Sequence, residues 1–168
     1  MDKFISCDWG TSNFRLRLVE AASLGVLTML ESNDGISATY NAWLSADIPR
    51  EKFYGDILLD RINQLAENHG SSLRDVPVII SGMASSSLGI MELPYAELPL
   101  DHVGSALGAA KMRLSNNVFI IPGVRTVNDV MRGEETQWIG LMQDEYLASL
   151  QQLLCILPGT HSKHINVR

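Results

Sequence analysis

Apolar and polar residues alternate over Phe14 to Val19 (FRLRLV), and a mostly apolar run, Lys3 to Cys7 (KFISC), precedes them. Period-two alternation is the mark of half-buried strands, so the two runs predict an antiparallel pair joined by a tight Gly-centred turn. Leu24 to Glu31 predicts a third strand, ended by the turn signal Asn33-Asp34-Gly35. From Glu51 to Asn68, Phe53, Ile57, Leu58, Ile62 and Leu65 recur at helical spacing and predict a helix capped by Gly70. Val76 to Ile80 predicts a short buried strand that leads into Ser81–Ser87, a run of glycine, small and hydroxyl residues. The prolines of Leu93-Pro94-Tyr95 and Leu98-Pro99-Leu100 keep those segments extended. Asp101 is expected to cap a helix running to about Leu114, followed by a buried strand, Asn117 to Ile121. A second long helix is expected from about Glu134 to Leu150, with Ile139, Met142, Tyr146 and Leu150 on its inner side. The apolar run Leu153 to Leu157, the turn Pro158-Gly159-Thr160-His161-Ser162-Lys163 and the alternating His164 to Val167 then repeat the opening pattern. Superimposing Gly10-Thr11 on Gly159-Thr160 puts Leu16 over Ile165 and Leu18 over Val167.

A chain of 168 residues with 46% hydrophobic and 19% charged residues suits one α/β domain with a substantial core. A second complete domain does not fit this length. Arg168 falls inside the strand that should complete the second hairpin, and a sheet needs more strands than two. The expectation is an N-terminal part of a longer protein, with a domain over 1–150, the start of another over 151–168, and a hinge in Ser149–Gln152. The net charge of −6, with no basic run, argues against a nucleic-acid or anionic-membrane surface. No stretch has transmembrane length, and the opening strand pattern containing Asp8 does not read as a signal peptide. The two cysteines, Cys7 and Cys155, fall in predicted buried strands and read as small hydrophobes of a reducing cytoplasm.

The first turn, Asp8-Trp9-Gly10-Thr11-Ser12-Asn13-Phe14-Arg15, carries the densest chemistry. Such a tip can offer backbone N–H groups and hydroxyls to phosphate oxygens, with a carboxylate beside them for Mg²⁺. It equally fits an ordinary Gly-centred hairpin, and the second Gly-Thr turn is what favours phosphate. Two tips facing one cleft would clamp a polyphosphate from both sides; Lys163 is well suited to it and equally fits a solvated turn lysine. Ser81 to Ser87 follow the C-terminal end of a strand, where open α/β sheets place ligands. In Asp129–Gln137, Glu134 and Glu135 also fit the first turn of a helix on electrostatic grounds alone. The functional alternative has Asp129 or Glu134 orienting or deprotonating a sugar hydroxyl and Arg132 pairing with a carboxylate. His161 and His164 have no further His or Cys cluster to make a zinc site. No P-loop, Rossmann fingerprint or nucleophile elbow occurs.

DWGTSNFR, the SGM segment, MRGEETQ and PGTHSK, in this order and spacing, resemble the 2-keto-3-deoxygalactonokinase family. These are sugar-acid kinases of the actin, Hsp70 and hexokinase superfamily. The likeness runs over the whole chain; DWGTSNFR is shared in outline with glycerol kinase and other sugar kinases, whereas MRGEETQ and PGTHSK are narrower. It implies a ribonuclease-H-like (actin-like ATPase) N-terminal domain, with a mixed five-stranded sheet flanked by helices, followed by the first hairpin of a second, similar domain. It also implies ATP- and Mg²⁺-dependent transfer of the γ-phosphoryl group to the 6-hydroxyl of 2-keto-3-deoxygalactonate in bacterial galactonate breakdown. Carried onto this chain, Asp8, Gly10, Thr11, Ser12, Asn13 and Arg15 would face ATP phosphates or Mg²⁺, with Asp8 the metal ligand. Gly159, Thr160, His161 and Lys163 would stand opposite. Ser81, Gly82, Met83, Arg132 and Glu135 would lie on the sugar-acid side, and Asp129 or Glu134 would act on the acceptor hydroxyl. The family commonly has an aromatic residue where this chain has His164, and the part expected to bind adenosine is absent, so the chain alone is expected to be inactive. The implied partners are ATP and a small sugar acid, with a homodimer left open. Another carbohydrate kinase of the superfamily, or a non-catalytic nucleotide-binding module, remains an alternative.

Overall fold

The structure is a computed structural model that describes residues 2–101, 103–114, 116–158 and 162–167. Strands β1 (Lys3–Trp9) and β2 (Phe14–Glu20) form the expected hairpin, and β3 (Val26–Ser32) adds to β2. Helices α1 (Ile36–Trp43) and α2 (Arg50–His69) follow, then β4 (Val78–Gly82), which runs into a 3-10 turn at Met83–Ser85. The rest comprises β5 (Ala96–Glu97), β6 (Ala110–Arg113), β7 (Asn117–Ile120), β8 (Val124–Arg125) and β9 (Val130–Met131). Helices α3 (Glu134–Leu141) and α4 (Glu145–Ser149) and the hairpin β10 (Leu153–Leu157) with β11 (Lys163–Val167) complete it.

The main sheet is mixed, in the order β3-β2-β1-β4-β7-β6. β1–β4 and β4–β7 pair parallel, and the outer pairs are antiparallel. Side chains alternate across a strand, so Ile5, Cys7 and Trp9 point to the same face as Leu16, Leu18, Val78, Ile80, Val118 and Ile120, and all are fully buried. Helix α2 lays Tyr54, Leu58, Ile62 and Leu65 on this face. Each such burial contributes about 1.5–3 kcal/mol, which is what holds the parallel strand ends beneath the site in register. Gly70 ends α2 as expected, in the left-handed region at φ 77°.

Several expectations need correction. The sheet has six strands, because the segment expected as a helix from Asp101 to Leu114 supplies β6 instead. Asp101 does cap a turn, accepting the Ser105 N–H at 2.8 Å, but Gly104 follows in the left-handed region at φ 67°. Lys111 and Met112 then pair with Phe119 and Val118 in a tight hairpin. The long helix expected over 134–150 is two short ones, since Asp144 starts afresh by accepting the Leu147 N–H at 3.0 Å. Met142 is buried as expected, but Tyr146 is 71% exposed. Cys155 is only half-buried; Cys7 is fully buried, and burial, with Asp8 adding to it, pushes its thiol well above the ordinary range, as an inert core residue requires. Helix α1 and the small sheet β5-β8-β9 were not foreseen. Among the described residues no helix is long and apolar enough to cross a membrane.

Candidate active site

The first turn is locked to helix α1. The α1 N–H groups of Ile36 and Ser37, which lack intrahelical partners, donate to the carbonyls of Gly10 and Thr11 at 2.9 and 3.0 Å. Only glycine permits this at position 35, where a Cβ would lie 2.3 Å from the Ser12 carbonyl carbon. Trp9 Nε1 donates to the Asp34 carbonyl at 2.8 Å from the other side. Arg61 holds the Asp34 carboxylate, and its hydrogen bond keeps that carboxyl below its usual range. With its carbonyls turned to α1, the tip leaves Thr11, Ser12 and Asn13 exposed. The N–H of Gly10 closes the turn on the Asn13 carbonyl at 2.9 Å, so it is engaged within the chain.

Asp8 pairs in register with Ser81 on β4 and Arg15 on β2, at the C-terminal ends of the parallel strands β1 and β4. Its carboxylate is 3.5 Å from Arg15 Nη1 and 44% exposed, while Arg15 Nε also donates to Glu31 at 2.5 Å. Among the described residues no group of three or more His, Cys, Asp or Glu could hold a metal ion. One half-exposed carboxylate does fit Mg²⁺, which commonly takes one or two carboxylates together with phosphates and water.

The segment after β4 is bound to the turn before α3. Gly82 has φ 92° and lies against the Trp9 carbonyl. Gly133 has φ 103°, and a Cβ on it would meet Gly82 Cα at 3.3 Å. That close approach delivers Arg132 to fully buried Ser85: Nη1 donates to the Ser85 carbonyl, and to its Oγ at 2.7 Å. Nε donates to Tyr95 Oη at 3.0 Å, and the guanidinium stands 4.1 Å from the Tyr95 ring centroid. Glu134 accepts the Arg132 N–H at 3.0 Å, and both Glu135 oxygens accept the Gly133 N–H at 2.7 and 2.8 Å. Arg50 and Tyr54 of α2 fix the neighbouring loop by donating to the carbonyls of Ser87 and Leu88 at 2.7 and 2.6 Å.

These pieces enclose an open cleft of about 920 Å³, a size suited to small-molecule ligands. It is lined by Gly10 and Thr11, by Ser162 and Lys163, by Met83 and Ser86–Leu88, and by Asp129–Arg132 with Glu134. Of the residues singled out from sequence, Gly10, Thr11, Met83, Asp129, Arg132, Glu134 and Lys163 thus share one cleft. Asp8, Ser12, Asn13, Arg15, Ser81 and Gly82 stand beside it without forming its wall. Glu135 lines a neighbouring cavity of about 500 Å³ with Trp138 and Ile165. It is 1% exposed, and burial pushes its carboxyl up to about 7 despite the N–H it accepts. Lys163 Nζ and Asp129 Oδ1 are 2.6 Å apart. Gly159, Thr160 and His161 lie outside the described residues. Sequence reasoning missed Glu92 and Tyr95 of the cleft and had Ser86 and the buried anchor Ser85 only as members of the Ser81–Ser87 run, with no role of their own; the only signal for Tyr95 was an extended Leu-Pro-Tyr.

The profile of the 2-keto-3-deoxy-galactonokinase family matches residues 8–168. A 2-dehydro-3-deoxygalactonokinase of Escherichia coli (strain K12) is 29% identical over 167 residues, which cover 97% of this chain and 49% of the relative. A Rhizobium meliloti (strain 1021) protein, provisionally named for the same activity, is 31% identical over 98% of this chain and 49% of its own length. The chain therefore spans about half the length of these relatives. A crystal structure from Sinorhizobium meliloti, of a protein again provisionally named 2-dehydro-3-deoxygalactonokinase, superimposes with a TM-score of 0.73 at 27% identity. It matches 98% of this chain and 49% of that one. A reductive activator for a corrinoid, iron-sulfur protein shares the fold alone, with a TM-score of 0.54 at 18% identity over 98% of this chain and 29% of its own. The fold, then, is one that serves more than one kind of protein, while the match across residues 8–168 is specific: this chain belongs to the 2-keto-3-deoxy-galactonokinase family.

Proposed function

We propose that this chain forms the acceptor side and half of the phosphate grip of a sugar-acid kinase. The reaction is transfer of the ATP γ-phosphoryl group to the 6-hydroxyl of 2-keto-3-deoxygalactonate, in the cytoplasm. Residues 1–150 would be a ribonuclease-H-like domain and residues 151–168 the opening of its counterpart, with activity requiring both halves that the relatives carry. The observation that supports this most is the single cleft lined by Gly10 and Thr11 of the first turn, by Ser162 and Lys163 at the start of β11, and by Asp129–Arg132 with Glu134. Phosphoryl transfer asks mainly for positioning and charge stabilisation, and these walls supply hydroxyls, an ammonium, a guanidinium and carboxylates.

In this mechanism Thr11 and Lys163 bind the phosphates from opposite sides. Asp8 would hold Mg²⁺, which neutralises charge on the phosphate oxygens. Arg132, fixed in plane by Ser85 and Tyr95, would take the carboxylate of the sugar acid through its remaining N–H groups. Asp129 or Glu134 would accept the proton of the acceptor hydroxyl. An ADP-release assay with a panel of sugar acids, on the protein carrying both halves, tests the proposal. Release dependent on 2-keto-3-deoxygalactonate supports it; dependence on a different acceptor makes the protein another carbohydrate kinase, and nucleotide binding without acceptor dependence makes it a binding module.

A further inference from the structure

Asp129 and Lys163 have separate tasks in the proposed reaction, yet in the structure they hold each other. Lys163 Nζ donates to Asp129 Oδ1 at 2.6 Å, with the lysine side chain 13% exposed and the aspartate 64%. The contact joins the start of β11 to the loop before β9 and stands between the cleft and its neighbouring cavity, lining both. Asp129 Oδ1 also accepts the Val130 N–H at 2.8 Å. The backbone thus fixes the carboxylate, and the lysine is the partner able to leave. A carboxylate oxygen has two acceptor positions, and those of Oδ1 are taken by Val130 and Lys163. A nearly buried ammonium in turn keeps an anionic partner, because leaving it unpaired is costly. A phosphate oxygen arriving at Lys163 is therefore an exchange of partners.

On the kinase reading, we propose that Lys163 is a relay. Nucleotide phosphate takes Lys163 from Asp129, and the acceptor position vacated on Oδ1 receives the sugar hydroxyl. In the transfer the hydroxyl oxygen forms a bond to the γ-phosphorus as the bond from that phosphorus to the β–γ bridging oxygen breaks. The electron pair leaves with ADP, and the hydroxyl proton goes to Asp129. The Oδ1 position beside Lys163 is thereby occupied until nucleotide has bound. Of the other charged and titratable groups lining the two cavities, Glu92, Arg132 and Glu134 line the cleft, and Glu135 and His164 line the neighbouring cavity.

The relay makes an unusual demand on binding, which calorimetry with Mg·ATP and with inorganic pyrophosphate tests on the protein carrying both halves. Asp129→Asn removes the competitor for Lys163 and is expected to bind both probes about three- to fivefold more tightly, while ADP release with acceptor falls by about a hundredfold or more. Lys163→Met should weaken binding by about tenfold, and adding Asp129→Asn to it should give no gain, since the coupling runs through the lysine. Asp129→Ala serves as a second variant, and thermal unfolding identifies any protein that has not folded. Equal or weaker binding by folded Asp129→Asn and Asp129→Ala overturns the relay, as does a gain that persists without Lys163. The kinase reading fails on a different result, the absence of acceptor-dependent ADP release, even where the binding gain is seen.

Discussion

Arg132 is held at three points, by the Ser85 carbonyl, Ser85 Oγ and Tyr95 Oη, before any ligand is considered. Its Nη2 end has no protein partner among the described residues, and that preorganisation is what distinguishes it from a surface arginine. Arg132→Lys keeps the charge but cannot span Ser85 and Tyr95. The acceptor KM is expected to rise about tenfold or more with little change in the nucleotide KM, and an equal rise in both would remove Arg132 from the acceptor side. Asp8→Asn should lower turnover by orders of magnitude with little unfolding, because the half-exposed carboxylate is not part of the core; wild-type turnover in that variant would remove Asp8 from the mechanism. Glu135 has a different signature. Its folded carboxyl titrates at about 7 instead of the usual 4.5, so the folded state holds the proton to higher pH than the unfolded chain does. The resulting stabilisation is complete below about pH 4.5 and is lost as pH rises through about 7. It amounts to on the order of 3 kcal/mol. Urea titrations at about pH 5 and pH 8 should show this loss in the wild type relative to Glu135→Gln; parallel pH dependence in the two proteins would contradict it.

At the scale of elements, the site depends on three contacts: α1 on the first turn and Gly133 on Gly82, backbone to backbone, and the Arg50 and Tyr54 side chains of α2 on the loop after β4. Gly35→Ala puts a methyl group 2.3 Å from the Ser12 backbone and should destabilise the fold by about 2–3 kcal/mol. Urea unfolding measures this, and hydrogen exchange should quicken at Ile36 and Ser37, whose amides lose their carbonyl partners. An unchanged midpoint would mean that α1 and the turn are not mutually fixed. The first hairpin, α2, β4, β7 and the closing hairpin were legible in the sequence because each carries its own period or cap, independent of what packs on it. β6 was not, because Asp101 mimics a helix start and the strand is defined only by its partner Phe119. Helix α1 was hidden by its short length, eight residues, and by a cap that comes from the Gly10 and Thr11 carbonyls in place of a side chain. At the site, Thr11, Met83, Arg132 and Lys163 were legible through glycine-rich or charged motifs. Ser85 and Tyr95 were not, since a lone serine and tyrosine acquire meaning only once the fold brings Arg132 to them.

For the molecule as a whole, the net charge is −6 while the cleft gathers Arg132 and Lys163 among its walls. The same walls also carry Glu92, Asp129 and Glu134, so the proposed hold on a polyphosphate rests on where the two cations stand and not on a net positive field. The account depends on the two turns acting on one ligand, although they lie about as far apart in the chain as its length allows. Amide chemical shifts followed through a titration with Mg·ATP test this most directly. The account predicts that the signals of Thr11 and Lys163 move together along one saturation curve, with Asp129 moving alongside them. Saturation of the nucleotide site with either Thr11 or Lys163 unmoved, or two curves with separate midpoints, would contradict it.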